Sequence, residues 1–389
     1  MKAVDVTTTE LEESTRARAA RSFTTRRVPL DAMRYLVTGL RPAAGDLVLA
    51  RVEKAGHHRR LYLPDGGRRH LFVGDEIIVA YGNRYAANQF EARVPRDLST
   101  CHLAAGGGIA GIVTQRHSRI VRGPTIIQPI GLIASDAGGP PVNVANWALR
   151  APRPARAGAV PVIALVGTGM DSGKTTTAAH LARGIVNLGL RVGYAKVTGT
   201  GAAGDPTLVA DAGASPVLDF TDGGYVSTYR VSLKELLHLF AELVGHLQGS
   251  GVDVTILEVA DGLFQRESAM LLSSTVVRQL ADGVIMAGND SMGAAAGASW
   301  LIDRGHRVLG LAGLIQQAPL QVREAKAATG LPVYRNDELS TAAGAAAVLQ
   351  KLEVGAKLLT TGAGGELIRG ADGSPNANDA LTPPLPLHG

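Results

Sequence analysis

The sequence predicts an α/β protein in two parts, a small β-rich, barrel-like domain followed by a doubly wound, mostly parallel sheet. Three observations carry this. Aromatic residues make up 4% of the 389 residues and glycine occurs 48 times, a balance that suits Ala/Val/Leu cores and many loops. Up to about residue 150, short β-branched runs are separated by Gly, Pro or Asp; beyond residue 160, apolar runs alternate with helical periodicity. Charge divides in the same way. Up to Arg156, 23 Lys and Arg face 13 Asp and Glu, and beyond it 16 face 21, so a formal net charge of +5 conceals a basic half and an acidic half.

Taken in order, residues 1–28 are polar and Arg/Thr-rich and read as a flexible segment, helical at most over Thr9–Ala20. Residues 29–150 form the basic β-rich domain, with strands expected in DLVLARV (46–52), RLYLP (60–64), EIIVAYG (76–82), GIVTQ (111–115) and TIIQPIGLIA (125–134). Its arginines read as scattered, without the runs and interleaved aromatics of a stacking platform, so nucleic acid is not a favoured partner. Residues 151–159, within RAPRPARAGA, lack apolar periodicity and read as a linker. Residues 160–369 form the α/β domain. Strands are expected over 160–166, 191–195, 252–259, 283–287, 308–314 and 332–334, and helices over 173–188, 233–247, 291–303 and 320–329. The tail 370–389, rich in Pro, Gly and Asn, has the composition of a disordered end.

Several classes are excluded. The chain is far longer than a disulfide-stapled or metal-folded module needs, and Cys101 is the single cysteine. No apolar run reaches the ~18 residues of a membrane span. MKAVDVTTTELEESTR places acids where a signal peptide has its apolar core, so a cytoplasmic location without a membrane partner is expected. The histidines show no metal-ligand spacing.

The sharpest motif is VIALVGTGMDSGKTTTAAHLA, in which Gly167, Gly173, Lys174 and Thr175 sit between an apolar strand and an apolar-periodic helix. A P-loop, the glycine-rich phosphate-binding turn, belongs in that position. Backbone N–H groups turn around an anion, the helix dipole adds to them, the lysine neutralises phosphate, and the threonine hydroxyl serves Mg²⁺. The expected nucleotide-binding stretch is Gly167, Thr168, Gly169, Met170, Asp171, Ser172, Gly173, Lys174, Thr175 and Thr176, with five residues between the two motif glycines.

That longer loop, GTGMDSGKT, resembles the loop of dethiobiotin synthetase, and the likeness spans nearly all of residues 160–335. VGYAKVTGTG looks like the segment where that family has a second lysine, here Lys196; ILEVADG resembles its acidic strand end, here Glu258; Asp171 stands where the family carries an acid. The resemblance extends to the cobyrinic acid amide synthase group and implies ATP and Mg²⁺ as cofactors, activation of a carboxylate or carbamate as a mixed phosphate anhydride, and a homodimer. Gly169 occupies the place where related partition ATPases carry a lysine acting in trans, which argues against a motor. The family's diaminopelargonate-binding segments are absent, and the β-rich domain has no counterpart in it, so biotin synthesis is not implied. A more distant resemblance is to P-loop acyltransferases such as D-glutamate N-acetyltransferase, in which coenzyme phosphates would fill the loop.

Chemistry alone assigns compatible roles. Lys196 ends a parallel strand at the crevice where doubly wound sheets bind ligands, and GTGTGAAGDP after it offers amides to an anion. Asp205 and Asp211 are candidate magnesium ligands, with Asp205 preferred. Glu258 follows the apolar run VTIL, where an unpaired charge is costly, and is read as a metal ligand or substrate contact; Asp261 is its substitute. Gly262, Gln265, Arg266 and Glu267 extend that loop, the last two equally readable as a solvated helix start. Asp290 reads as a helix cap, and Gln316, with Gln317, falls where related enzymes recognise the base.

The resulting expectation is an Mg-ATP-dependent enzyme with Lys174, Lys196, Glu258 and Asp171 in catalysis and Thr175, Asp205 and Glu258 around magnesium. It would phosphorylate a small carboxylate for ligation to an amine, or act as a kinase. The alternative is a nucleotide-dependent regulatory protein whose basic domain docks a macromolecule.

Overall fold

Val48, Ala50 and Val52 alternate along one strand with Leu47 and Leu49, and the two sets face different cores. The computed structural model describes residues 5–352. One unit comprises the chain through Arg150 together with Gly199–Gly204 and Asp219–Val231. Its strands are β1 (Thr7–Glu10), β2 (Ala20–Arg21), β3 (Tyr35–Thr38), β4 (Leu47–Lys54), β5 (Arg60–Tyr62), β6 (Arg68–His70), β7 (Glu76–Tyr81), β8 (Phe90–Arg93), β9 (Cys101–Ala105), β10 (Ile109–Arg116) and β11 (Thr125–Ala134), with helix α1 (Glu13–Arg18). β11 pairs with β4, β4 with β7, β7 with β10, β10 with β9, and β9 with β11 again. These five strands close into a barrel, which removes their free edges. Val48, Leu61, Ile77, Leu103 and Ile127 are fully buried in one cluster with them.

Residues 5–28 differ from the flexible segment expected. β1 pairs with β3 and β2 with β7, while Leu11, Ala19 and Phe23 are buried. Elements of two to six residues are too short to display a periodicity, so their partners decide their structure.

The second unit comprises Ala151–Thr198, Asp205–Leu218 and the chain from Ser232. Two segments inside the range read as one α/β domain, Gly199–Gly204 and Asp219–Val231, thus group with the N-terminal unit instead. The elements from here on are β12 (Val162–Gly167), α2 (Lys174–Asn187), β13 (Val192–Lys196), α3 (Gly204–Asp211), β14 (Val217–Asp219), α4 (Leu233–Gly249), β15 (Val254–Glu258), α5 (Arg266–Leu272), α6 (Thr275–Leu280), β16 (Gly283–Ala287), α7 (Ser291–Ile302), β17 (Val308–Ala312), α8 (Pro319–Thr329), α9 (Asn336–Leu339) and α10 (Ala342–Leu349). The sheet order is β14-β13-β15-β12-β16-β17, and β13, β15, β12, β16 and β17 run parallel.

Both faces of this sheet are covered, which is why its strands read as continuous apolar runs. Ile163, Leu165, Ile256 and Ile285 join one core with Leu181 and Ile185 of α2 and Val348 and Leu349 of α10. Val162, Ala164, Val166 and Met286 are equally buried but lie outside that cluster. The α/β expectation therefore holds, with β12, β16 and α8 within a residue or two of their expected bounds. Residues 332–334 contribute a single bridge, Val333 to Leu311, in place of a strand, because the chain enters α9 directly afterwards. The expected disordered tail 370–389 lies outside the described residues.

Candidate functional site

β12 delivers the chain into the turn Gly167–Thr176, and α2 leads it away. Gly173 precedes α2 with φ of 91°, and a Cβ there would stand 3.0 Å from Gly313 Cα. Left-handed backbone and close approach together require glycine. Gly173 offers no capping side chain, and the first helical bond runs from the Thr177 N–H to Gly173 O. The amides of Lys174, Thr175 and Thr176 therefore open the helix without intrahelical acceptors, backed by the helix dipole.

Lys174 is buried. Its Nζ donates to Gly169 O (2.7 Å) and Asp261 O (2.6 Å) and lies 3.4 Å from Ser172 Oγ. Burial is the largest influence on its pKa and lowers it, against the charge of Glu258 and with the like charge of Lys196 adding to the effect. Lys174 Nζ thus rests on neutral carbonyl dipoles, with its carboxylate influences acting at longer range, and an incoming anion would be a stronger direct partner. The rest of the loop is graded in exposure. Ser172 is buried, Thr168, Gly169, Met170 and Thr175 are half-buried, and Asp171 and Thr176 are exposed. Asp171 has a positive φ of 63°, a conformation aspartate tolerates better than most residues. The Thr168 N–H donates to Ala287 O (3.0 Å), while its hydroxyl is buried without a partner.

Beside the loop, the parallel register of β13 and β15 sets Lys196 opposite Glu258. Lys196 Nζ lies 3.1 Å from Glu258 Oε1 and donates to Asp205 Oδ2 as well. The second oxygen of Glu258 accepts a hydrogen bond from Tyr194 Oη at 2.9 Å, and the Glu258 side chain is 1% exposed. Burial alone would lower the Lys196 pKa; Asp205 and Glu258 outweigh it and raise the group above its ordinary value. For Asp205 burial favours the neutral acid, but the charge and hydrogen bond of Lys196, then Lys174 and the Thr175 hydroxyl, hold it below the usual carboxylate range. Thr175, Asp205, Lys196, Glu258 and Tyr194 thus form one connected network.

Magnesium fits part of this set. The Thr175 hydroxyl and Asp205 carboxylate are neighbouring hard oxygen donors, as that ion uses beside phosphate. Glu258, expected to serve the metal, is here the counter-ion of Lys196 and accepts from Tyr194. Asp211 lies exposed at the C-terminal end of α3.

Other expectations change similarly. Gln316, read as a base-recognising amide, donates to Gly313 O (2.9 Å) and accepts from the Asn336 N–H (2.6 Å), so it braces the strand end behind Gly173. The Gly199 and Gly201 amides, expected to face an anion, bond to Thr228 Oγ1 and Val226 O. Glu267 is fully buried rather than solvated and is paired with Arg266 and Gln265, while Gln265 caps α5 through the Ser268 N–H. Asp290 caps α7 through the Gly293 N–H at 2.7 Å, as read.

Three contributors escaped sequence reasoning: Tyr194, Thr198 and Ser268. Thr198 Oγ1 and Ser268 Oγ both donate to Ala260 O at 2.6 Å, and the Ala260 N–H returns to Thr198 Oγ1 at 2.9 Å. This fixes the turn whose next carbonyl, that of Asp261, holds Lys174. A strand period of two places Tyr194 and Lys196 on one side of β13, a signal present in the sequence. In the same turn Gly262 presses on the loop, since a Cβ there would be 2.6 Å from Thr168 O and 2.8 Å from Gly169 Cα.

No family model matches the chain, and no curated protein matches it. Among solved structures it is similar to the signal recognition particle receptor FtsY of Elizabethkingia anophelis, at TM-score 0.30 and 18% identity over 49% of this chain and 55% of that one. The same receptor in complex with GDP gives TM-score 0.36 and 20% identity over 50% and 64%. The signal recognition particle 54 kDa protein of Aeropyrum pernix K1 in complex with GDP gives 0.33 and 20% over 45% and 40%. The chain matches less than two thirds of the length of each.

Proposed function

We propose that this protein binds a magnesium nucleoside triphosphate, read as ATP, in the Gly167–Thr176 turn and transfers its terminal phosphoryl group to a small anionic substrate. The observation that carries the reading is Lys174 Nζ resting on the Gly169 and Asp261 carbonyls at the mouth of three open helix-start amides. Phosphate oxygens replace those carbonyls with a net gain, because a charge-assisted bond to an anion is stronger than one to a neutral acceptor.

Thr175 and Asp205 would hold magnesium, which neutralises charge on the phosphates. Lys196 is kept protonated by Glu258 and Asp205 and supplies a fixed positive charge to the transferring group or the substrate carboxylate. A carboxylate oxygen would bond to the terminal phosphorus as the nucleoside diphosphate leaves with the electron pair of the broken P–O bond, and an amine would then add to the acyl carbon, expelling phosphate and giving up a proton to solvent. The loop length and the positions of Lys196 and Glu258, which resemble dethiobiotin synthetase, support this ligase-like sequence over simple hydrolysis.

Titration calorimetry with Mg-ATP and Mg-GTP tests the assignment. Saturable uptake by the wild type, weakened more than 100-fold in Lys174→Ala, is the expected result. Failure of the wild type to take up either nucleotide would overturn it.

A further inference from the structure

Four arginines meet on one short ribbon of the N-terminal unit. β5 and β6 pair antiparallel with Arg60 opposite His70, Leu61 opposite Arg69 and Tyr62 opposite Arg68, joined through Pro64-Asp65-Gly66-Gly67. Cross-strand partners share a face. Leu61 is fully buried in the barrel core, which anchors the ribbon and leaves Arg60, Tyr62, Arg68 and His70 on the opposite face. Arg59, Arg60, Arg68, Arg69 and His70 are all exposed. The Arg68 guanidinium stacks 4.5 Å over the Tyr62 ring, and the turn after β6 presents Phe72 and Val73 at 70% and 69% exposure.

This ribbon is charged without compensation. Among the described residues none of the four arginines is in an ion pair. Of the nearby acids, Asp65 accepts the Gly67 N–H at 2.8 Å and Asp75 the Phe72 N–H at 3.0 Å, so both carboxylates close turns. Arg18 and Arg51 of the same unit are by contrast held by Glu76. Arg59-Arg60 and Arg68-Arg69, which read as scattered along the sequence, lie on the two arms of one hairpin. The hairpin gathers two Arg-Arg pairs, Tyr62 and Phe72 that lie apart along the chain.

We infer that the β5–β6 ribbon is a docking surface for single-stranded nucleic acid. Planar guanidinium groups pair with phosphate oxygens, while the Tyr62–Arg68 stack and the bare Phe72 ring offer flat faces on which bases stack. An anionic membrane would share the charge, but two exposed apolar side chains give it little to insert, whereas the stacked ribbon face matches bases directly.

Fluorescence anisotropy of the full chain with a labelled oligothymidylate of about 20 nucleotides provides the test. With Arg60 and Arg68 each engaging one phosphate, the slope of log K against log salt should be about −1.4. Arg60→Ala/Arg68→Ala should remove most of that dependence. Phe72→Ser should weaken binding about tenfold with the slope unchanged, and the paired Arg51→Gln should change neither. The inference fails if the wild type does not bind at about 50 mM salt, if Arg51→Gln weakens binding as much as the double variant, or if phosphatidylserine vesicles bind the ribbon in preference to the oligonucleotide.

Discussion

Lys196 and Glu258 end adjacent parallel strands in direct register, and their charged atoms stand 3.1 Å apart in a nearly water-free setting. Lys196 keeps Asp205 as a second partner, whereas the buried Glu258 has Lys196 as its paired cation. Removing one member of a buried pair leaves the other uncompensated, at a cost of about 3 kcal/mol or more. Lys196→Met should accordingly lower stability by about 3 kcal/mol, measured by urea denaturation. Lys196→Met/Glu258→Gln, which removes both charges, should cost clearly less, and an equal or greater loss in the double variant would contradict the pairing argument.

Tyr194→Phe isolates the hydroxyl that donates to Glu258 Oε2. The ring stays in its core, so the expected loss is about 1.5–3 kcal/mol, as for a hydrogen bond to a charged group. A denaturation midpoint identical to the wild type would show that Glu258 does not need this donor.

Asp205 makes part of the stability depend on acid. Its folded pKa lies below its ordinary value, so its contribution is fully present above the unfolded value of about 3.9. It is lost as pH falls through the lower folded value. The stability gap between wild type and Asp205→Asn should therefore be constant near neutrality and close below about pH 4. A gap that widens in acid would reverse the sign of this linkage.

Gly262→Ala would place a Cβ against the backbone of Thr168 and Gly169. Backbone atoms cannot swing aside as a side-chain tip can, so the loop must shift. Nucleotide affinity should fall at least tenfold while the overall stability loss stays within about 1–3 kcal/mol, the usual range for overpacking. Calorimetry paired with a melting curve separates the two effects, and unchanged affinity would release the loop from this constraint.

What the sequence alone determined is local. The strand, glycine turn and helix around Lys174, the alternation of apolar runs with helices, and the capping role of Asp290 all follow from residues within about one turn or one strand of each other. Tertiary structure decided the rest. It set Lys196 against Glu258 and Asp205, made Glu258 a counter-ion, buried Glu267, engaged Gln316, drew Gly199–Gly204 and Asp219–Val231 into the N-terminal unit, and folded two arginine pairs onto one ribbon. Backbone propensity and periodicity act over a few residues, whereas the partner of a charge depends on strand register and sheet order. Those are settled by burial of the whole core, to which no single segment holds the key.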